Sequence, residues 1–221
     1  AMKFDAILFD CDGVLVDSEP ISCGVLRDML EEIGWSLTLA GCLQQFVGKT
    51  VREERGAIER QTGRPFDEDW LQRFYLRRNA ALDAGVLAVS GAHDAVAAAS
   101  AHADGRIACA SGADRFKVEL QLGRVGLIEP FAGRIFSGHE MPRSKPAPDV
   151  YLAAARHLQA PPARCLVIED TPTGTLAGVA AGATVWAYCP PLSPHGPALR
   201  QAGACRLFDD MAQLPSLLAA A

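Results

Sequence analysis

The sequence predicts an α/β protein, a parallel sheet with helices on both faces and an all-helical segment inserted after the first strand. Three observations carry this expectation. Short apolar runs closed by polar or turn residues recur at 6–9, 106–110, 164–168 and 184–188. Helix-length stretches separate the later runs, an alternation that builds parallel strands buried on both faces. Residues 18–84, by contrast, show helical periodicity and no convincing strand.

The elements follow in order. The run Ala6-Ile7-Leu8-Phe9 predicts a buried strand that stops at Asp10-Cys11-Asp12-Gly13. Ser18 is a candidate N-cap for a helix in which Ile21, Val25, Met29 and Ile33 recur every four residues, with Leu26 and Leu30 beside them and Gly34 as a stop. Further helices are expected near 38–46, 51–62 and 67–84, the last carrying Trp70, Leu71, Phe74, Tyr75 and Leu82. An Ala-rich helix at 91–103 then leads into the strand 106–110 and a helix at 113–124. A short strand near 134–136, a helix at 148–158, the strand 164–168, a helix at 172–181 and the strand 184–188 complete the pattern. Residues 189–197 are a Pro-rich loop. The expected division is a core of 1–16 and 88–221 and a helical cap of 17–87, joined near 15–18 and 84–90.

Composition narrows the class. A chain of 221 residues supports one full core, or a core with a smaller insert. Apolar residues make up 49% and charged ones 21%, which is a globular balance. The net charge of -5 comes with no basic block, so neither nucleic acid nor an acidic membrane is an expected partner. No apolar stretch reaches the ~20 residues that span a bilayer. The start on a strand-like segment gives no sign of a leader, and Ala1 ahead of Met2 reads as a remnant of cloning. Seven scattered cysteines without a C-x-x-C pair argue against a disulfide framework or a thiolate metal site, and fit a reducing, cytoplasmic setting. Cys11 lies between two aspartates that disfavour its thiolate, so it is read as structural.

The chemistry concentrates at strand ends, where ligands of open α/β folds bind. In extended chain Asp10 and Asp12 point to the same side and converge, unless the chain turns between them. Their repulsion costs stability unless a cation or a reaction needs it; a solvated acidic turn is the alternative. Ser111, next to Gly112 at a strand-to-helix junction, suits a phosphate or serves as an ordinary N-cap. Lys145 is stiffened by the prolines that follow it in Lys145-Pro146-Ala147-Pro148 and can neutralise a phosphoryl group. Glu169 and Asp170 form a second acidic pair at a strand end, and two such pairs together argue for a hard cation held by oxygens, best met by magnesium. Gly174, Gly178 and Gly182 are read as packing positions.

The series Asp10-x-Asp12-Gly13, Ser111, Lys145-Pro146 and Glu169-Asp170 resembles the four motifs of the haloacid dehalogenase (HAD) superfamily, in order and across nearly the whole chain. The insert resembles the helical C1 cap of its β-phosphoglucomutase-like phosphatases. The resemblance implies a Rossmann-like parallel sheet core and a Mg2+-dependent phosphatase that acts on a small-molecule phosphate ester; a monomer is the expected state, though the sequence itself gives none. Asp10 would be the nucleophile that forms an aspartyl-phosphate, and Asp12 the acid and base. Mg2+ would be held by Asp10, the Asp12 carbonyl and Asp170, with Glu169 direct or through water. Ser111, the Gly112 N–H and Lys145 would hold the phosphoryl oxygens.

Departures refine the reading. Dehalogenases of the superfamily lack an acid at the position of Asp12, so phosphoryl transfer is favoured. β-Phosphoglucomutases carry a histidine ten residues past the second aspartate, where this chain has Ser22, which favours hydrolysis over the mutase alternative. The loop Phe46-Val47-Gly48-Lys49-Thr50-Val51-Arg52 and the pair Arg78-Asn79 resemble cap segments that read substrate, with Gly48, Lys49, Arg52, Arg78 and Asn79 as candidate contacts; exposed helix cations are the other meaning of such residues. Stretches 136–140 and 188–190 resemble 6-phosphogluconate phosphatase-type members, so a sugar phosphate or phosphorylated sugar acid is the expected substrate. A receiver-type phospho-switch would place its aspartate on a later strand and carry no helical cap.

Overall fold

The computed structural model describes residues 3–221, so the reading of Ala1 lies outside the described residues. Two compact units emerge, one of residues through Val16 together with Ala88–Ala221, the other Asp17–Leu87. The two connecting segments run beside each other, with Val16 bridging Ala88 and the Val89 N–H donating to Leu15 O.

The larger unit holds β1 (Ala6–Phe9), α5 (Ala92–His102), β2 (Ile107–Ser111), α6 (Arg115–Arg124), β3 (Ile135–Ser137), α7 (Asp149–His157), β4 (Cys165–Glu169), α8 (Pro172–Ala180), β5 (Thr184–Tyr188), α9 (Gly196–Gln201), β6 (Arg206–Phe208) and α10 (Leu214–Ala219). The sheet is parallel throughout, in the order β3-β2-β1-β4-β5-β6. The chain lays strands to one side of β1 and then to the other, so the topological switch falls between β1 and β4. Alternate residues of each strand face opposite layers. Ala6 and Leu8 join Ala108, Ala110, Val167, Tyr151 and Ala154 under α7 and α8, while Phe9 stacks edge-on against Phe131 at 5.9 Å.

The smaller unit contains α1 (Glu19–Glu32), α2 (Leu39–Phe46), α3 (Arg55–Thr62) and α4 (Glu68–Gly85). It has a core of its own, built from Leu26, Met29, Leu30, Phe46, Ile58, Trp70, Leu71 and Phe74, with Trp70 and Phe74 stacked. The buried stripe of α1 runs through Cys23, Leu26, Met29 and Leu30. Val25 and Ile33, which the four-residue spacing puts on the core face, lie at its margin. Ser18 stands at the N-cap position of α1 without making the side-chain cap expected of it.

Several expected boundaries shift. Ser111 and Glu169 are the last residues of their strands, not the first residues after them. The N-cap of α6 is Asp114, whose carboxylate accepts from the Lys117 N–H, so Ser111 is no helix cap. Residues 51–54 form a turn, and α3 starts at Arg55. Sequence periodicity also misses β6, α9 and α10. A three-residue edge strand beginning on exposed Arg206 has too short a run to register a period.

Two of the three candidate packing glycines meet close neighbours. A Cβ on Gly178 would lie 2.7 Å from Val185 Cγ2 and 3.2 Å from Val167 Cγ1, so α8 rests directly on β4 and β5. Gly182 lies past the helix at φ +89°, where it turns the chain. Because β-branched valines on strands have little rotamer freedom, Gly178→Ala should cost about 1–3 kcal/mol of unfolding free energy. Urea denaturation checks this, and an unchanged midpoint would mean that α8 can lift off the sheet freely.

Candidate active site

Beyond Phe9 the strand ends and the chain turns. The Asp10 N–H still donates to Ile168 O of β4 at 3.0 Å. Cys11 O then accepts from the N–H groups of Val14, Leu15 and Val16. Gly13 adopts φ +79°, and a Cβ there would sit 2.0 Å from Asp170 Oδ2. Glycine is therefore required twice at this position, by the backbone and by the carboxylate that lies over it. The turn sends the two aspartates to different partners. Asp10 faces Lys145 and Glu169, whereas Asp12 accepts from Lys117 and Gln121. The two carboxylates thus bond different side chains, although the Asp12 charge still acts on Asp10.

Around Asp10 the geometry is tight. Lys145 Nζ donates to Asp10 Oδ1 at 3.0 Å, to Ala110 O at 3.1 Å and to Glu169 Oε1 at 2.7 Å. The Tyr151 hydroxyl also donates to Glu169 Oε1, and the tyrosine ring lies 4.9 Å from the lysine nitrogen. Asp10, Glu169 and Asp170 each present one carboxylate oxygen within 4.8 Å of the others. Glu169 and Tyr151 are completely buried, and Asp10 and the Lys145 side chain nearly so. A Cβ on Gly174 would fall 2.1 Å from Glu169 Oε1, so this glycine makes room for the carboxylate as α8 begins.

The electrostatics follow from burial. Burial, then the Glu169 charge, pushes Asp10 up to about 7 against an ordinary 3.8, with Lys145 opposing the shift. Burial works against the lysine's charge as well, but the Asp10 and Glu169 carboxylates outweigh it and hold Lys145 well above its ordinary value. Burial raises Tyr151, which stays a protonated donor. Cys11 is raised well above the ordinary thiol value by its contact with Cys109, by burial and by both aspartates, so it is no nucleophile. Carboxylate oxygens this close, with lysine as the cation among them, suit a hard divalent ion. The carboxylate of Asp12 is outside that trio.

Ser111 is buried at the end of β2, beside β1, and its Oγ accepts from the Ala113 N–H at 3.0 Å. Gly112 is exposed, with open space where a Cβ would be. In the helical unit, Gly48 turns the chain at φ +76°. Lys49 pairs with Glu54 at 3.2 Å and Arg52 pairs with Glu68. Arg78 is buried, its guanidinium 4.8 Å from the Tyr75 ring and bonded to Asn79 Oδ1. Sequence reasoning passed over Tyr151, Lys117 and Gln121. The signal for Tyr151 was its place in the first turn of the helix after Lys145-Pro146, and for the other pair their i, i+4 spacing on the helix after Ser111.

Known proteins resemble this chain over most of its length. The family model for haloacid dehalogenase-like hydrolases matches residues 4–182. The 6-phosphogluconate phosphatase of Escherichia coli (strain K12) is 26% identical over 216 residues, covering 97% of this chain and 95% of that protein. A HAD family hydrolase of Deinococcus radiodurans R1, solved with bound phosphate and sodium, is 36% identical with a TM-score of 0.82, covering 100% of this chain and 97% of that one. A mutant CbbY of Rhodobacter sphaeroides, solved with xylulose-(1,5)bisphosphate, is 26% identical with a TM-score of 0.81, covering 96% of each chain.

The raised pKa of Asp10 sets a pH dependence. Between 3.8 and about 7 the native protein holds a proton on Asp10 that the unfolded chain has released. Stability therefore falls as pH rises through that window. Cation-free protein should melt at a lower temperature near about pH 7.5 than near about pH 5.5, and Asp10→Asn should remove much of the difference. A divalent cation should raise the melting temperature more at the higher pH. Identical pH profiles for wild type and Asp10→Asn would show that Asp10 is not raised.

Proposed function

The chain belongs to the haloacid dehalogenase-like hydrolases and is a phosphatase of that family, and from this premise we propose that it hydrolyses a small sugar phosphate or phosphorylated sugar acid through an aspartyl-phosphate. The observation that carries the proposal is the buried carboxylate of Asp10, held by Lys145 among further acidic groups at the switch point of the sheet.

In this mechanism Asp10 attacks phosphorus. An Asp10 O–P bond forms as the ester P–O bond breaks, and Asp12 gives its proton to the leaving alcohol. Water then attacks the aspartyl-phosphate, Asp12 takes up its proton, and the Asp10 O–P bond breaks to release inorganic phosphate. Lys145, Ser111 and the Gly112 N–H bind the phosphoryl oxygens and stabilise charge that develops on them. Mg2+, held by Asp10, Asp170 and the Asp12 carbonyl, with Glu169 direct or through water, would supply positive charge against the repulsion between carboxylate and phosphate. That charge would also reverse the upward shift of Asp10 and keep the nucleophile ionised.

The substrate reading draws on the relatives, one named for 6-phosphogluconate and one solved with a sugar bisphosphate. We assign substrate choice to the helical unit, with Gly48, Lys49, Arg52, Arg78 and Asn79 as its contacts to a carboxylate or second phosphate. For the cations among them, ion pairs to Glu54 and Glu68 would have to open. Hydrolysis is favoured over isomerisation because Ser22 offers no imidazole to hold back water. A cytoplasmic monomer remains our working assignment.

The test is a phosphate-release screen across sugar phosphates, phosphorylated acids and nucleotides, with and without Mg2+. Turnover should require the cation, and undiminished activity after thorough chelation would refute the scheme. Asp10→Asn should abolish turnover, and Asp12→Asn should lower it by ~10²–10⁴-fold; near-normal activity of Asp10→Asn would exclude the covalent route. With β-glucose 1-phosphate and its 1,6-bisphosphate the protein should release phosphate, or do nothing. Rapid formation of glucose 6-phosphate would make the mutase reading the better one.

A further inference from the structure

Asp12 is gripped by a helix that the scheme above does not use. Lys117 and Gln121 lie one turn apart on α6 and point to the same place. Lys117 Nζ donates to Asp12 Oδ1 at 2.9 Å, and Gln121 Nε2 donates to the same oxygen at 3.1 Å. Gln121 is completely buried and Lys117 is only 8% exposed.

Burying these groups is costly. A lysine taken from water needs a matched anion. Gln121 Oε1 is buried with no hydrogen-bond partner among the described residues, a loss that a methionine or leucine there would not incur. Turning the amide round would only set its oxygen against a carboxylate oxygen. What explains a glutamine at this place is therefore the work of its nitrogen at Asp12, not packing.

We propose that Lys117 and Gln121 are positioning residues that orient the Asp12 carboxyl group for proton transfer, which rests on the reading of Asp12 as acid and base. Two donors on Oδ1 engage both lone pairs of that oxygen. The proton that Asp12 gives to the alcohol and later takes from water is then carried on Oδ2. Rotating the carboxyl group would break two hydrogen bonds at once, so the same oxygen faces the leaving group in the first step and the water in the second.

Leaving groups separate this role from a merely structural one. An alkyl phosphate must be protonated as its alcohol departs, whereas p-nitrophenyl phosphate expels a stable phenolate without help. With the alkyl phosphate that the screen finds turned over fastest, Lys117→Met should lower kcat by about 10²-fold with little change in KM. Single-turnover release of p-nitrophenol, which reports the first step alone, should change by less than about threefold. Gln121→Met should show the same split at about tenfold, and Lys117→Arg, which keeps a charged donor, should recover most of the loss. Melting temperatures of the variants confirm that each is folded.

Asp12→Asn serves as the control. If it slows both substrates equally in the first step, the acid–base reading of Asp12 fails, and the proposal with it. If Asp12→Asn shows the split but Lys117→Met and Gln121→Met slow both substrates equally, or neither, then the α6 pair is structural and the positioning role is overturned.

Discussion

Carboxylates set side by side away from water repel one another in a medium that screens them poorly, and this protein gathers buried Asp10 and Glu169 with half-buried Asp170 at the ends of its two central strands. Much around them can be understood as a response to that crowding. Lys145 threads in to bond Asp10, Glu169 and a backbone carbonyl together. Tyr151 adds a second donor to Glu169 from beneath the lysine. Gly13 and Gly174 give up their side chains because carboxylates occupy the space. Burial first, and the Glu169 charge after it, raise Asp10 to about 7 against the opposing pull of Lys145.

The fold supplies the rigidity that such a cluster demands. Asp10 follows β1 and Glu169 ends β4, the two adjacent central strands whose register pairs Phe9 with Ile168. The backbone of Asp10 is tied to β4 by its own N–H. Ser111 ends β2 on the other side of β1. Lys145 comes from a loop that leads into α7, and α7 packs by Val150, Tyr151, Ala154 and Ala155 against the same strands. Each group is thus fixed by an element with little freedom to shift, and holding like charges at close range needs that restraint.

The sequence made much of this legible, for a reason that also marks where it stops. A buried strand closed by a carboxylate leaves a sharp local signature, and two such junctions brought out Asp10 and Glu169-Asp170, with Ser111 at a third strand end and Lys145 in a proline-stiffened loop between them. The α/β alternation and the helical insert were readable because long periodic segments carry their own evidence. Contacts between helix faces and strand ends left no comparable trace. Tyr151, Lys117 and Gln121 look like ordinary helix residues until the sheet order brings them to the site. β6, α9 and α10 were too short to show a period, and the bend at Cys11, which the sequence left open, gives the two aspartates different partners.

That turn matters most for the chemistry. In the proposed mechanism two carboxylates two residues apart do opposite things, Asp10 staying ionised to attack and Asp12 carrying a proton. Had both stayed in extended chain they would have faced one environment and competed for the same proton. Because the chain turns after Asp10, the first aspartate enters the acidic cluster and the second meets α6, with Lys117 and Gln121 on one of its oxygens. Under that proposal a cation at the cluster would act on Asp10 through its carboxylate and on Asp12 through the backbone carbonyl, leaving the Asp12 side chain to exchange protons. In this reading, division of labour between nearly adjacent residues follows from the bend at Cys11 and from the different partners on either side of it.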